Sequence, residues 1–84
     1  MSRLISDIAA EAYADMKAVK GKSVGQGFPA AYPYLDAMLD LNSIKDSYGH
    51  DSAKSIVLYF LSNASSWRGD VARRIKAELK ELVK

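Results

Sequence analysis

The chain has 84 residues, 49% of them hydrophobic and 26% charged, with a formal net charge of +2 and no cysteine. Such a length allows one domain, spanning 1–84, and the apolar share is high enough for a folded core. Disulfides, thiol nucleophiles and cysteine-held zinc or iron–sulfur centres are excluded, no apolar run is long enough to cross a bilayer, and Asp7 interrupts the first apolar stretch too early for a secretory signal, so a cytoplasmic location is expected.

The first periodic segment covers about residues 3–20. Leu4, Ile5, Ile8, Ala9, Ala12, Met16 and Val19 recur at three- and four-residue steps, the spacing of one helical face. Ser2 is the expected N-cap. Asp7, Glu11 and Asp15 align at i, i+4 on a second face. Lys17 and Lys20 complement the helix dipole near its end, and Gly21 supplies the stop. The stretch from Gly21 to Pro29 holds three of the five glycines and reads as a loop.

Pro33 suits the first turn of a short helix over about 33–41, where its missing N–H is not needed. Leu35, Met38, Leu39 and Leu41 give that helix its inner face. An extra turn is expected near 43–48, because Ser43 and Asp46 stand three apart as in a capping box and Gly49 can close it. Asp51 precedes a helix over about 52–64, in which Ala53, Ile56, Val57, Phe60, Leu61 and Ala64 form the stripe. Leu58 and Tyr59 fall off the stripe, so this helix is apolar around more than half its circumference. Such a helix is either central or faces a partner. Ser65 or Ser66 is the expected cap of a last helix over about 67–83, with Trp67, Val71, Ile75, Leu79 and Leu82 turned inward. No strand-like alternation of useful length is present. The expected fold is all-α: a small bundle of three main helices with one short helix and one extra turn.

Motifs with chemical meaning are weak. Gly21-Lys22-Ser23 has the tail of a phosphate-binding loop, but Met16 stands where the earlier glycine belongs and a helix precedes it. Asp40 to Asp51 fails as a calcium loop at its fifth, sixth and twelfth positions. Asp46, His50 and Asp51 could converge on a metal, yet capping is the commoner role of such residues at a helix junction. His50 is the only histidine, and no nucleophile–base or paired-carboxylate spacing stands out around it. Arg68-Gly69-Asp70 matches an adhesion tripeptide only as a short string. A helix-turn-helix alignment centred on Gly69 puts Arg68, Asp70 and Glu78 at positions that should be apolar. Phe28, Tyr32 and Tyr34 crowd the two prolines and are expected to seal one end of the bundle. Small helical chains of this composition are common among phage and mobile-element accessory proteins, a likeness of kind that no motif carries.

Charge is uneven. Residues 1–51 hold five basic against seven acidic side chains, and residues 52–84 hold seven against three. On the last helix Asp70 and Glu78 flank Arg74 at i±4 and are expected to neutralise it. Arg73, Lys76, Lys80 and Lys84 form a second row without an acid, within roughly 80° of arc. These features predict a non-enzymatic protein-interaction module, adaptor or regulatory, that self-associates and uses no cofactor or metal. Leu58 and Tyr59 are its expected contact residues, with Trp67 at the rim. The basic row can be the solvated back of an amphipathic helix, or the row of one copy could face the Asp7/Glu11/Asp15 row of another. The alternative is a nucleic-acid-binding protein that uses Arg68, Arg73, Lys76, Lys80 and Lys84.

Overall fold

A computed structural model describes residues 3–84, of which 62% are helical. The fold is mostly helical and compact, and the only paired strands among the described residues form a two-stranded ribbon.

Helix α1 (Ile5–Lys20) starts two residues later than the periodicity predicts, with Leu4 as an extended N-cap that makes no side-chain cap. The expected cap Ser2 lies outside the described residues. A tertiary bond satisfies the helix start instead: the Ile5 N–H donates to the Asn42 carbonyl at 2.9 Å. At the other end Gly21 takes the left-handed conformation (φ 66°), and its N–H closes onto the Lys17 carbonyl at 2.9 Å. Ile5, Ile8, Ala9, Ala12 and Met16 are buried as the periodicity requires, whereas Leu4 and Val19 are exposed.

The expected loop after Gly21 contains a single helical turn, α2 (Val24–Gly27). Ser23 caps it by accepting the Gln26 N–H at 3.3 Å, and Val24 and Phe28 bury against the core. Gly27 is needed for a close approach, since a Cβ there would lie 2.8 Å from Cγ of Lys20.

Helix α3 (Tyr32–Met38) carries Pro33 in its first turn and ends three residues short of expectation. Leu39, Asp40 and Leu41 continue in tight turns, yet Leu41 still reaches the core. The Ser43–Asp46 turn forms one half of a capping box: the Asp46 carboxylate accepts the N–H groups of Asn42 (2.9 Å) and Ser43 (3.0 Å), while the Ser43 hydroxyl accepts the Lys45 N–H at 3.2 Å. The turn expected to run on to residue 48 gives way to a hairpin. Strands β1 (Ser47–Tyr48) and β2 (Asp51–Ser52) pair antiparallel around Gly49-His50, with Gly49 at φ 62°. Gly at the first central position is the signature of a two-residue hairpin loop. Strands of two residues are too short to show any alternation in sequence.

Ser52 caps helix α4 (Ala53–Asn63) by accepting the Ser55 N–H at 3.1 Å. Helix α5 (Asp70–Leu82) begins three residues later than predicted, behind Gly69 at φ 114°; Ser65 and Ser66 lie in a turn before it and do not cap it. Trp67 therefore belongs to the connection between α4 and α5. α1 packs against α2, α3 and α5, while α4 packs mainly on α3 and less on α5. The very apolar α4 also packs on the hairpin strands β1 and β2, and its positions Lys54, Leu58, Tyr59, Ser62 and Asn63 stay exposed. The core joins Ile8 and Met16 of α1 to Leu35 and Met38 of α3, Val57 and Phe60 of α4, and Ile75 and Leu79 of α5.

Candidate functional site

Trp67 joins α1, α4 and α5. It is fully buried (0% exposed), which removes it from the expected interface rim. Its indole Nε1 donates to the Asp15 carboxylate of α1 at 2.8 Å, and its ring meets Phe60 of α4 edge-on at 6.2 Å. Lys76 of α5 lies over the same ring, and its Nζ donates to the carbonyls of Ala64 and Trp67, both at 2.7 Å. A cation here satisfies the end of α4, where carbonyls lack helical partners. Burial lowers the Lys76 pKa below the usual lysine range, and Lys80 and Arg68 nearby push the same way.

Outside Lys76 an open groove of about 300 Å³ is lined by Trp67, Arg68, Gly69, Ala72, Arg73 and Lys76. Three cations line it and no acid does. Arg73 is 81% exposed, and its pair with Asp70 is long, at 3.4 Å. Lys80 follows one turn further along α5, and Lys84 reaches Glu81 at 3.2 Å. The predicted basic row therefore divides. Lys76 is turned inward as a structural clamp, while Arg68, Arg73, Lys80 and Lys84 face solvent.

The acidic row of α1 is used within the chain. Glu11 pairs with Arg74 and, at 2.7 Å, with Arg3. Arg3 also forks onto Glu78, Nε to Oε2 at 3.1 Å and Nη2 to Oε1 at 2.7 Å. Arg74 is thus engaged across the helix pair by Glu11, not along α5 by Asp70 and Glu78 as the spacing implied. Bonding by Arg74 first and Arg3 second holds the Glu11 carboxyl below the usual range, and Arg3 does the same for Glu78. With Glu11 and Asp15 engaged internally, the row-to-row pairing of two copies loses two of its three acids. Only Asp7 stays exposed for it.

Leu58 and Tyr59 do reach the surface, at 43% and 50% exposure. The Tyr59 ring lies 5.5 Å from that of Tyr34 on α3, tilted by 40°. The exposed positions of α4 are Lys54, Leu58, Tyr59, Ser62 and Asn63, so the outer face carries one charge. Of the other aromatics near the prolines, Phe28 is buried under the Lys20 ammonium, and Tyr32 is half-buried beside Gly25. His50 sits exposed at the hairpin tip. Among the described residues no three His, Cys, Asp or Glu side chains are grouped to hold a metal.

The internal uses of Lys76 and Glu11 were not legible in the chain. Their partners lie 9 and 12 residues away for Lys76 and 8 and 63 for Glu11, all on other segments of the fold, and helical periodicity carries no information about such contacts. The α2 turn was missed where a loop was expected, although Ser23 and Gln26 at capping-box spacing are a local signal for it.

No family model, curated protein or solved structure matches this chain. No helix among the described residues is long and apolar enough to cross a membrane.

Proposed function

We propose that this protein is a small, non-enzymatic helical interaction module that self-associates through the outer face of α4. The observation that carries this reading is the exposure of Leu58 and Tyr59 side by side on a helix whose outward positions hold a single charge. Ser55 and Ser62 lie on the same side and are small enough to let a second helix approach. In a two-fold pair each α4 would present the same strip, so Leu58 and Tyr59 would meet their own copies. Tyr34, already against Tyr59, widens the strip. The chain's densest charge cluster supports a non-catalytic reading, since Arg3, Glu11, Arg74 and Glu78 are all engaged with one another.

Three side chains make a strip well below the roughly 800 Å² per partner of a standard interface. The expected association is therefore weak, with a Kd on the order of 100 μM, about −5.5 kcal/mol. Light scattering across a concentration series should show the mass climbing towards that of a dimer. Leu58→Glu and Tyr59→Glu should each hold the protein monomeric while leaving its helical circular dichroism intact. A wild-type chain that stays strictly monomeric well above that concentration would refute self-association.

A further inference from the structure

A different face carries a second, independent inference. We propose that the groove bordered by Arg68, Arg73 and Lys76, extended along α5 by Lys80 and Lys84, takes the phosphodiester backbone of a nucleic acid.

The groove wall contains three cations and no carboxylate. Arg68 and Lys80 both lie close enough to Lys76 to oppose its charge. That is a cluster of like charges for which the wall supplies no counter-ion, and a polyanion would relieve it. Lys76, held inward by its two carbonyls, adds positive potential to the groove, and the phosphate contacts fall to the exposed Arg68, Arg73, Lys80 and Lys84. Arg68 and Arg73 stand exposed at the rim, and a guanidinium presents the planar fork that matches phosphate oxygens. The Arg73–Asp70 and Lys84–Glu81 pairs hold two of these cations only loosely, at 3.4 and 3.2 Å and largely exposed. Exposed pairs of this kind contribute about 0.2 to 1 kcal/mol, little enough to be exchanged for a phosphate contact.

The extent of the array selects the occupant. From Arg73 to Lys84 the helical rise is roughly 16 Å, far longer than one phosphate ion, and the groove is open. A linear polymer with a charge at every repeat fits that layout. An acidic protein segment is the competing occupant.

The test is fluorescence anisotropy with labelled 20-mers of single- and double-stranded DNA and RNA, across a salt series. Trp67, the only tryptophan, forms part of the groove floor and gives a second, local readout by its emission. At least one nucleic acid should bind, with log K falling against log salt at a slope of about −3, the value for three to four phosphate contacts. Arg68→Gln/Arg73→Gln should weaken binding by about tenfold or more at low salt and flatten the slope by about two. Lys22→Glu, an exposed charge reversal elsewhere, should change it far less. Inorganic phosphate should compete only through ionic strength.

Three results would overturn the proposal. One is no binding of any probe at tens of micromolar protein in low salt. Another is binding unchanged in Arg68→Gln/Arg73→Gln. The third is displacement by polyglutamate as effective as by unlabelled nucleic acid, which would assign the groove to an acidic protein. Both readouts are independent of the α4 face, so Leu58→Glu should leave them unaltered.

Discussion

Two of the seams between the helices are built from opposite chemistry. The α1–α5 seam is edged by charge: Arg3, Glu11, Arg74 and Glu78 form a connected network on its outside, and Asp15 takes the indole N–H of Trp67. The α3–α4 seam is closed by apolar side chains and, at its edge, by the Tyr34–Tyr59 ring pair. The consequence is visible on the surface. Where the seam is charged, Glu11 and Asp15 of α1 are consumed internally and the spare basic residues of α5 are left facing outward. Where the seam is apolar, the surplus is apolar too, and Leu58 and Tyr59 remain in solvent. Each outer face thus presents what its inner seam does not use.

The largest effect should come from the residue that ties the two seams together. Trp67→Ala removes a fully buried ring, strands the Asp15 carboxylate and takes away the ring under Lys76. The expected loss is about 3 to 5 kcal/mol, a large part of the stability of so small a domain. Trp67→Phe retains most of the packing and deletes the indole N–H donor. It should cost about 1 to 3 kcal/mol. Urea denaturation followed by circular dichroism measures both. If Trp67→Phe costs nothing while Trp67→Ala keeps its full cost, the Asp15 bond contributes nothing and the charged seam ends at Glu11.

These seams also explain what could be read in advance. Periodicity located α1, α3, α4 and α5 to within about three residues, because each buries one stripe on the core and helical spacing reports that directly. It placed Trp67 in the last helix because Trp67, Val71 and Ile75 keep the spacing. The helix starts at Asp70 instead, behind Gly69 at φ 114°, a break that apolar spacing does not register. The same limit applied to charge. An i±4 rule assigned Arg74 to its own helix, whereas packing against α1 placed Glu11 within reach. Leu58 and Tyr59 were legible as contact candidates since they fall off a stripe that is itself local.

The charged seam should be sensitive to acid. Glu11 and Glu78 have lowered pKa values in the folded state, through hydrogen bonds from Arg74 and Arg3. Carboxyls of this kind stabilise the fold fully above their unfolded pKa of about 4.3 and lose that contribution as pH falls through the lower folded values. Unfolding free energy should therefore drop between about pH 4.5 and the acid limit. All four residues are a quarter to a half exposed, so the three pairs together account for only about 1 to 2 kcal/mol. Glu11→Gln should remove about half of it and shrink the acid-dependent drop. A pH profile of urea midpoints that is identical in wild type and Glu11→Gln would show the network to be energetically silent.

The smallest expected effect sharpens the comparison from the other side. Tyr34→Leu or Tyr59→Leu breaks the ring pair but keeps an aliphatic side chain over the α3–α4 seam. Aromatic pairs contribute about 0.5 to 1.5 kcal/mol beyond area, and a pair at the surface belongs at the lower end. A double-mutant cycle on Tyr34 and Tyr59 should give a coupling of about 0.5 kcal/mol, similar in size to the coupling of Glu11 with Arg74. Salt separates the two. At 1 M the Debye length is only about 3 Å, so the Glu11–Arg74 coupling should largely vanish. The tyrosine coupling involves no net charge and should persist, since salts that strengthen apolar burial act in its favour. Equal loss of both couplings in 1 M sodium chloride would mean that the seams do not differ in kind, and the contrast between the two outer faces would then need another cause.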